Sequence, residues 1–209
     1  DIRLMLEAGL NVVRVGEFAW SSMEPEEGRY DLDWLRLVVN RLGEAGIATI
    51  MCTPSCTPPA WLTERYPEVL VINHAGIRAQ HGSRRHVCPN NPAYRALCRN
   101  VASQLGQAFG DDPNVIGWQI DNEVHLWEGW GCYCDICVDA FRNRLERQFG
   151  SIDALNQAWG LNLWSQAYQS FRQIPAPRPD IWHHPSLKAA WLLFQNESLV
   201  EYVTDQADA

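Results

Sequence analysis

The 209-residue chain is 46% hydrophobic and 20% charged and carries 10 tryptophans, a composition that excludes a disordered tail. Its formal net charge of −8 and pI near 5.2, with no basic run, exclude nucleic acid and anionic membrane as partners and favour a neutral ligand. No apolar stretch reaches the roughly 18 residues of a membrane span, and no charged-then-apolar leader opens the chain. The expectation is a soluble, cytoplasmic protein whose first residue, Asp1, falls mid-domain.

Residues 2–9 show helical spacing through Ile2, Leu4, Met5 and Leu6; Gly9 is a natural stop, and Asn11 to Val15 is a short β-branched run. The same step recurs. Asp33 to Ala45 has apolar residues at Trp34, Leu35, Leu37, Val38, Val39 and Leu42, ends at Gly46, and leads into the strand-like Ile47 to Met51. After a long loop, Pro92 to Phe109 reads as a third helix, which Gly110 and Asp111-Asp112-Pro113 close before an apolar strand from Val115 to Ile120. Beyond that strand, Val138 to Phe149, Ser151 to Trp159 with Ser151 as cap, and Pro185 to about Asp205 read as helices. The proline-rich stretch from Ile174 to Asp180 reads as an extended loop within the same domain.

Successive helix-then-strand units specify a parallel sheet with helical cover, either an eight-fold barrel or an open doubly wound sheet. No G-x-G-x-x-G or Walker-type loop follows any strand, which counts against a nucleotide-binding open sheet. Polar and aromatic residues instead gather just past the strand ends, at Gly16 to Trp20, Thr53 to Trp61 and Asp121 to Glu123. A barrel enzyme puts its site there. The fold class expected is therefore α/β, part of a (β/α)8 TIM barrel comprising roughly strands 2 to 4 with their helices. Val13, Val15, Ile50 and Ile116 are expected to face the barrel interior.

Two patterns carry chemistry. Asn122-Glu123 follows the strand from Val115 directly, so its carboxylate stands on a rigid support at the rim of a sheet, and the amide beside it can hold a ligand hydroxyl. That placement suits the general acid of a sugar-cleaving enzyme; the bland alternative is an ordinary solvated loop pair. Abundant tryptophan also suits a carbohydrate, whose C–H faces pack on aromatic rings, although tryptophan serves equally as core. The second pattern is Cys132, Cys134 and Cys137, a C-x-C-x-x-C run too tight for three independent disulfides and suited to one tetrahedral Zn²⁺. Cys88 is the first choice for the fourth ligand, with His86 and His125 as imidazole alternatives. Cys52, Cys56 and Cys98 lack such spacing and read as small buried hydrophobes.

The segments Arg14 to Trp20, Gly82 to Asn90 and Trp118 to Glu123, then the 132–137 cysteine triplet, with Trp164 downstream, resemble in that order glycoside hydrolase family 42, the β-galactosidases. The resemblance runs over nearly the whole chain. It implies a retaining enzyme acting on a galactoside or galacto-oligosaccharide, with a (β/α)8 catalytic barrel followed by smaller domains, and often a homotrimer. Residues 1–209 would then be a fragment of a single catalytic barrel domain, with the remaining strands and C-terminal domains outside them. The resemblance makes Glu123 the general acid/base at the end of the fourth barrel strand and Asn122 its sugar-binding neighbour. Arg84 becomes a substrate-binding arginine, Trp164 an aromatic wall of the sugar pocket, and Arg14 the arginine that supports the nucleophile. Cys88, Cys132, Cys134 and Cys137 become a structural zinc site, closed because four thiolates leave no position for water.

Retention requires a second carboxylate about 5 to 5.5 Å from the first. The resemblance puts it near the end of the seventh strand, outside this chain. Glu197 and Glu201, spaced i, i+4 on a helix and following no strand, are not read as that group, so residues 1–209 alone are expected to be inactive. Three other readings stand beside this one. A β-glucanase-type retaining barrel would share Asn122-Glu123 without needing the cysteines, an α-L-arabinopyranosidase would differ only in the sugar taken, and a zinc-stabilised non-catalytic carbohydrate-binding module would make Glu123 dispensable.

Overall fold

The computed structural model describes residues 1–125 and 131–209. Helix α1 (Ile2–Glu7) leads into strand β1 (Val12–Val15), and a short helix α2 (Trp20–Met23) precedes the crossover helix α3 (Asp33–Glu44) to β2 (Ala48–Cys52). A second crossover through α4 (Ala60–Arg65) and α5 (Pro92–Phe109) reaches β3 (Val115–Gln119), and α6 (Asp135–Phe149), α7 (Ile152–Trp159) and α8 (Pro185–Ala207) follow. The three strands form one parallel sheet in the order β1-β2-β3. Sequential order with helical crossovers is consistent with an arc of a barrel.

The long elements match the hydrophobic periodicity. Helix α5 spans Pro92 to Phe109, with Pro92 in its first turn, where a missing N–H costs nothing, and Asn91 capping it by accepting from the Tyr94 amide at 3.0 Å. Ser151 caps α7 in the same way, accepting from the Ala154 amide at 3.2 Å. Helix α6 starts at Asp135, three residues earlier than its apolar spacing indicates, because Cys134 takes extended backbone angles and serves as its N-cap. Helices α2 and α4 are turns of 4 and 6 residues, too short to show a helical period.

Val15 does not face a barrel interior. It packs with Met51 and Val115 against Met23, Leu35, Val39, Leu105 and Phe109, the layer contributed by α2, α3 and α5. Alternation along β1 therefore directs Arg14 to the opposite, open face, where its guanidinium reaches across β2 to Gln119 on β3. An irregularity in the β2–β3 pairing, where Thr49 opposes Val115 but Ile50 opposes Gly117, shifts the facing of the residues beyond it. Period-two patterning gives two faces but does not say which one the helices cover.

Two further cores lie beyond the sheet. Trp20, Leu62, Val69, Tyr94, Leu97, Val101 and Tyr202 join α2, α4, α5 and α8. The other gathers Phe141, Leu145, Leu155, Trp191 and Phe194 around the four cysteines 88, 132, 134 and 137. Helix α8 contributes to both, so it fixes the cysteine-bearing helices against the sheet-bearing half. No helix among the described residues is long and apolar enough to cross a membrane.

Candidate active site

Strand β3 stops at Gln119 and the chain turns at once. Asp121 and Glu123 adopt positive φ of 60° and 50°, a region that non-glycine residues hold only where their surroundings impose it. Gln119 ties this turn to the strand: its amide nitrogen donates to the Asp121 carbonyl at 3.0 Å and to Asn122 Oδ1 at 3.3 Å. Asn122 is buried, whereas the Glu123 side chain is 63% exposed and points into the open. Arg84 meets it there, Nη1 donating to Oε2 at 2.6 Å. His125 Nδ1 lies 2.6 Å from the Glu123 carbonyl oxygen; a carbonyl only accepts, so Nδ1 carries the proton and the imidazole is committed to this loop.

Asp121 carries the polar network beneath the turn. Its carboxylate is fully buried, and Oδ1 accepts from Arg85 Nη2 at 2.5 Å and from the Asn122 amide. Oδ2 is 2.9 Å from Ser55 Oγ and 2.6 Å from the Tyr202 hydroxyl. The Asp121 amide donates in turn to Thr53 Oγ1 at 2.7 Å. Ser55 and Thr53 follow β2, and Tyr202 belongs to α8, which also supplies Gln206 Oε1 at 2.6 Å from Ser55 Oγ. None of Asp121, Arg85, Ser55 or Tyr202 was singled out from sequence. The visible signal was only that Asp121 and Arg85 adjoin the two residues that were.

The first strand end adds Gly16, whose φ of 100° and position leave no room for a side chain: a Cβ would sit 3.0 Å from the Cys52 carbonyl oxygen. Arg14 and Glu17 pair at 3.6 Å on the open face. Burial, then the Glu17 carboxylate, push the Cys52 thiol up to about 12; burial, then Asp121, push Cys56 up to about 11. Neither supplies a thiolate nucleophile at neutral pH. A groove of about 540 Å³, lined by Phe18, Thr57, Pro59, His81, Ser83 and Arg84, opens beside the arginine.

Arg84, Asn122 and Glu123 are thus together. Trp164 is not joined to them by any hydrogen bond or ring contact among the described residues. It stands 70% exposed in a turn after α7, its ring edge-on to Trp182 with centroids 4.9 Å apart. Glu197 and Glu201 lie on α8, where Arg144 grips Glu197 through two contacts of 2.5 and 2.7 Å and Arg95 approaches Glu201 at 3.5 Å.

The sulfurs of Cys88, Cys132, Cys134 and Cys137 all lie within 4.8 Å of one another, and all four residues are buried and free of disulfides. Cys88 Sγ is 3.4 Å from Cys137 Sγ and 3.8 Å from Cys134 Sγ. A tetrahedron with metal–sulfur bonds of about 2.3 Å has edges of about 3.8 Å, so the quartet fits one metal ion such as zinc. Without a cation the thiols share their protons: hydrogen bonding to Cys132 pushes Cys88 up and pulls Cys134 down. Two donors from outside already address the sulfurs, Asn90 Nδ2 at 3.3 Å from Cys137 Sγ and the Ile72 amide at 3.5 Å from Cys132 Sγ. His86 and His125, the imidazole alternatives, are not members of the group.

The profile of glycoside hydrolase family 42, described as beta-galactosidase, matches residues 1–209. Beta-galactosidase YesZ of Bacillus licheniformis is 43% identical over the whole chain, which spans 31% of that relative's length. Beta-galactosidase Bga of Halorubrum lacusprofundi is also 43% identical, over 100% of this chain and 30% of the relative. Among solved structures, the beta-galactosidase from Halorubrum lacusprofundi superimposes with a TM-score of 0.94 at 42% identity, covering 99% of this chain and 31% of its own. One from Rahnella sp. R3 gives 0.94 at 36% identity, with 99% and 30% covered. The catalytic domain of a beta-amylase from Paenibacillus polymyxa matches in fold alone, with a TM-score of 0.77 at 14% identity over 99% of this chain and 57% of that domain.

Proposed function

This chain belongs to glycoside hydrolase family 42, and from that membership we propose that it is strands 2 to 4 of the catalytic (β/α)8 barrel of a retaining β-galactosidase in which Glu123 is the general acid/base. The observation that carries this reading is the seating of Glu123. It follows the end of β3 in a turn pinned by Gln119, with its carboxylate exposed and an arginine 2.6 Å away.

In the first step Glu123, protonated, gives its proton to the glycosidic oxygen while a second carboxylate attacks the anomeric carbon; the bond to the leaving oxygen breaks as a glycosyl–enzyme ester forms. In the second step Glu123, now ionised, takes a proton from the water that attacks the same carbon and expels the carboxylate. Asn122 and Arg84 are the proposed sugar-binding groups, Arg84 by exchanging its contact with Glu123 for substrate oxygens. Trp164 is proposed as an apolar wall; its exposure and its partner Trp182 support a platform for a sugar face. The second carboxylate is proposed to lie outside residues 1–209, since Glu197 and Glu201 sit on a helix and are engaged by Arg144 and Arg95.

The four thiolates of Cys88, Cys132, Cys134 and Cys137 are proposed to hold a structural Zn²⁺. When bound, the ion supplies cross-linking of the 132–137 run to the segment leading into α5, with no coordination position left for chemistry.

The deciding experiment uses the complete protein. Glu123→Gln is expected to lower turnover of lactose by about 10² to 10⁴, while galactosides with strongly acidic phenol leaving groups lose much less in kcat/KM. Azide added to Glu123→Ala should yield β-galactosyl azide, because the anion can enter where the base stood. Full activity of the Gln variant on lactose would overturn the assignment.

A further inference from the structure

A buried carboxylate is costly unless every lone pair is met and a cation faces it. Asp121 meets both conditions: Arg85 at 2.5 Å, Tyr202 at 2.6 Å and the Asn122 amide donate to it, and Ser55 Oγ, whose one proton also faces Gln206 Oε1, lies 2.9 Å away. These donors come from separate parts of the chain, so the carboxylate ties the acid-bearing turn to the loop after β2, to the segment before Cys88 and to α8.

Arg84 and Arg85 are consecutive, yet they serve different carboxylates. Arg85 has a positive φ of 62°, which turns the chain between them. Arg84 reaches the exposed Glu123 and Arg85 the buried Asp121. One dipeptide thus engages both ends of the three-residue turn, whose own two positive-φ positions are the same Asp121 and Glu123. Left-handed backbone at two non-glycine residues does not persist without such over-determination.

We propose that Asp121 is a positioning residue for the acid/base, its buried carboxylate fixing the left-handed turn that aims Glu123 at the leaving oxygen. The inference rests on the reading of Glu123 given above. A proton donor must reach the leaving oxygen at about 2.6 to 3.2 Å, and a misplacement of about 1 Å can cost on the order of 10²-fold in rate. A turn released from its anchor keeps the acid but loses the aim.

The test compares Asp121→Asn, Tyr202→Phe and Glu123→Gln in the complete protein, measuring kcat/KM on lactose and on 2,4-dinitrophenyl β-galactoside, KM, and the thermal midpoint. Asp121→Asn keeps the shape but replaces one accepting oxygen with an amide group that can only donate. It is expected to lose about 10²-fold in kcat/KM on lactose, with KM for lactose nearly unchanged, and less than about 5-fold in kcat/KM on the dinitrophenyl substrate. Tyr202→Phe, which removes one donor and keeps its ring against Tyr94, should show the same leaving-group dependence at about a tenth of the size, and decides the matter if the Asn variant does not fold. Equal losses on both substrates, or none, would mean that the carboxylate only holds the fold and would overturn the proposal. If Glu123→Gln itself loses nothing on lactose, the acid assignment fails and this inference with it; if Glu123→Gln behaves as an acid variant and Asp121→Asn does not, the inference alone fails.

Discussion

At the scale of single residues, Glu123 and Arg84 form a pair that two solvated side chains can hold only weakly; such pairs contribute about 0 to 1 kcal/mol to stability. The pair therefore adds little to the fold. Arg84→Ala is expected to leave the thermal midpoint of the complete protein nearly unmoved while lowering kcat/KM on galactosides by about 10²-fold, mostly through KM, since a guanidinium hydrogen-bonding a substrate oxygen contributes about 1.5 to 3 kcal/mol. Melting curves beside steady-state kinetics decide it, and a variant that melts early but turns over normally would make the pair a mere surface bridge. The placement of Asn122 and Glu123 was legible because its signal is local, an apolar strand ending on an amide and an acid. The anchor beneath them was not, because Ser55, Arg85 and Tyr202 stand 66, 36 and 81 residues from Asp121, and no spacing rule joins residues at such separations.

Among the elements, the cysteine cluster sits inside the hydrophobic core of the helical half. It brings the N-cap of α6 against the segment leading into α5, with Phe141, Trp191 and Phe194 packed in mutual ring contact beside it. Elemental analysis of the complete protein is expected to find about one zinc per chain. Cys137→Ser should abolish that zinc and lower the thermal midpoint by a few degrees, since each kcal/mol lost shifts it by at most about 2 to 4 °C in a domain larger than this chain, before substrate affinity changes. Disulfides among the four cysteines, or a water on the metal, would refute the structural role. The triplet was legible from its spacing alone, and Cys88 needed the further step of bringing together residues 46 and 49 apart. Helix α5 was legible end to end because its apolar stripe, Tyr94, Leu97, Cys98, Val101 and Leu105, is closed by Gly110 and Asp111-Asp112-Pro113; its Asn91 cap came only with the structure. The facing of Val15 was misjudged for the opposite reason: alternation is symmetric, and only the position of α3 and α5 breaks the symmetry.

For the whole molecule, the open side of the sheet matters most. Val12 on β1 and Ile116 on β3 are exposed, as are Leu4, Leu6 and Leu10 in and after α1 and Val200 on α8, and β1 and β3 each have one unpaired edge, which invites association with other chains. Burying one such side chain contributes about 1.5 to 3 kcal/mol, so these few together rival the stability margin of a domain, about 5 to 15 kcal/mol. Residues 1–209 expressed by themselves are expected to hydrolyse no galactoside and to run as aggregates in size-exclusion chromatography, with or without added zinc. A monomer that unfolds cooperatively and cleaves lactose would contradict both the barrel assignment and the location of the second carboxylate.

The dipeptide Arg84-Arg85 has a bearing on how such an enzyme can be altered. Only two residues separate it from Cys88, so three anchors, one to Glu123, one to Asp121 and one to the cysteine cluster, occupy a run of five positions. Inserting or deleting a single residue there would rotate at least one anchor away from its partner. Loop exchange aimed at a new sugar preference should therefore transplant residues 84–88 and 121–123 as one block. The turn bearing Trp164, which among the described residues makes no hydrogen bond or ring contact to that block, is where library diversity can be introduced at lower risk.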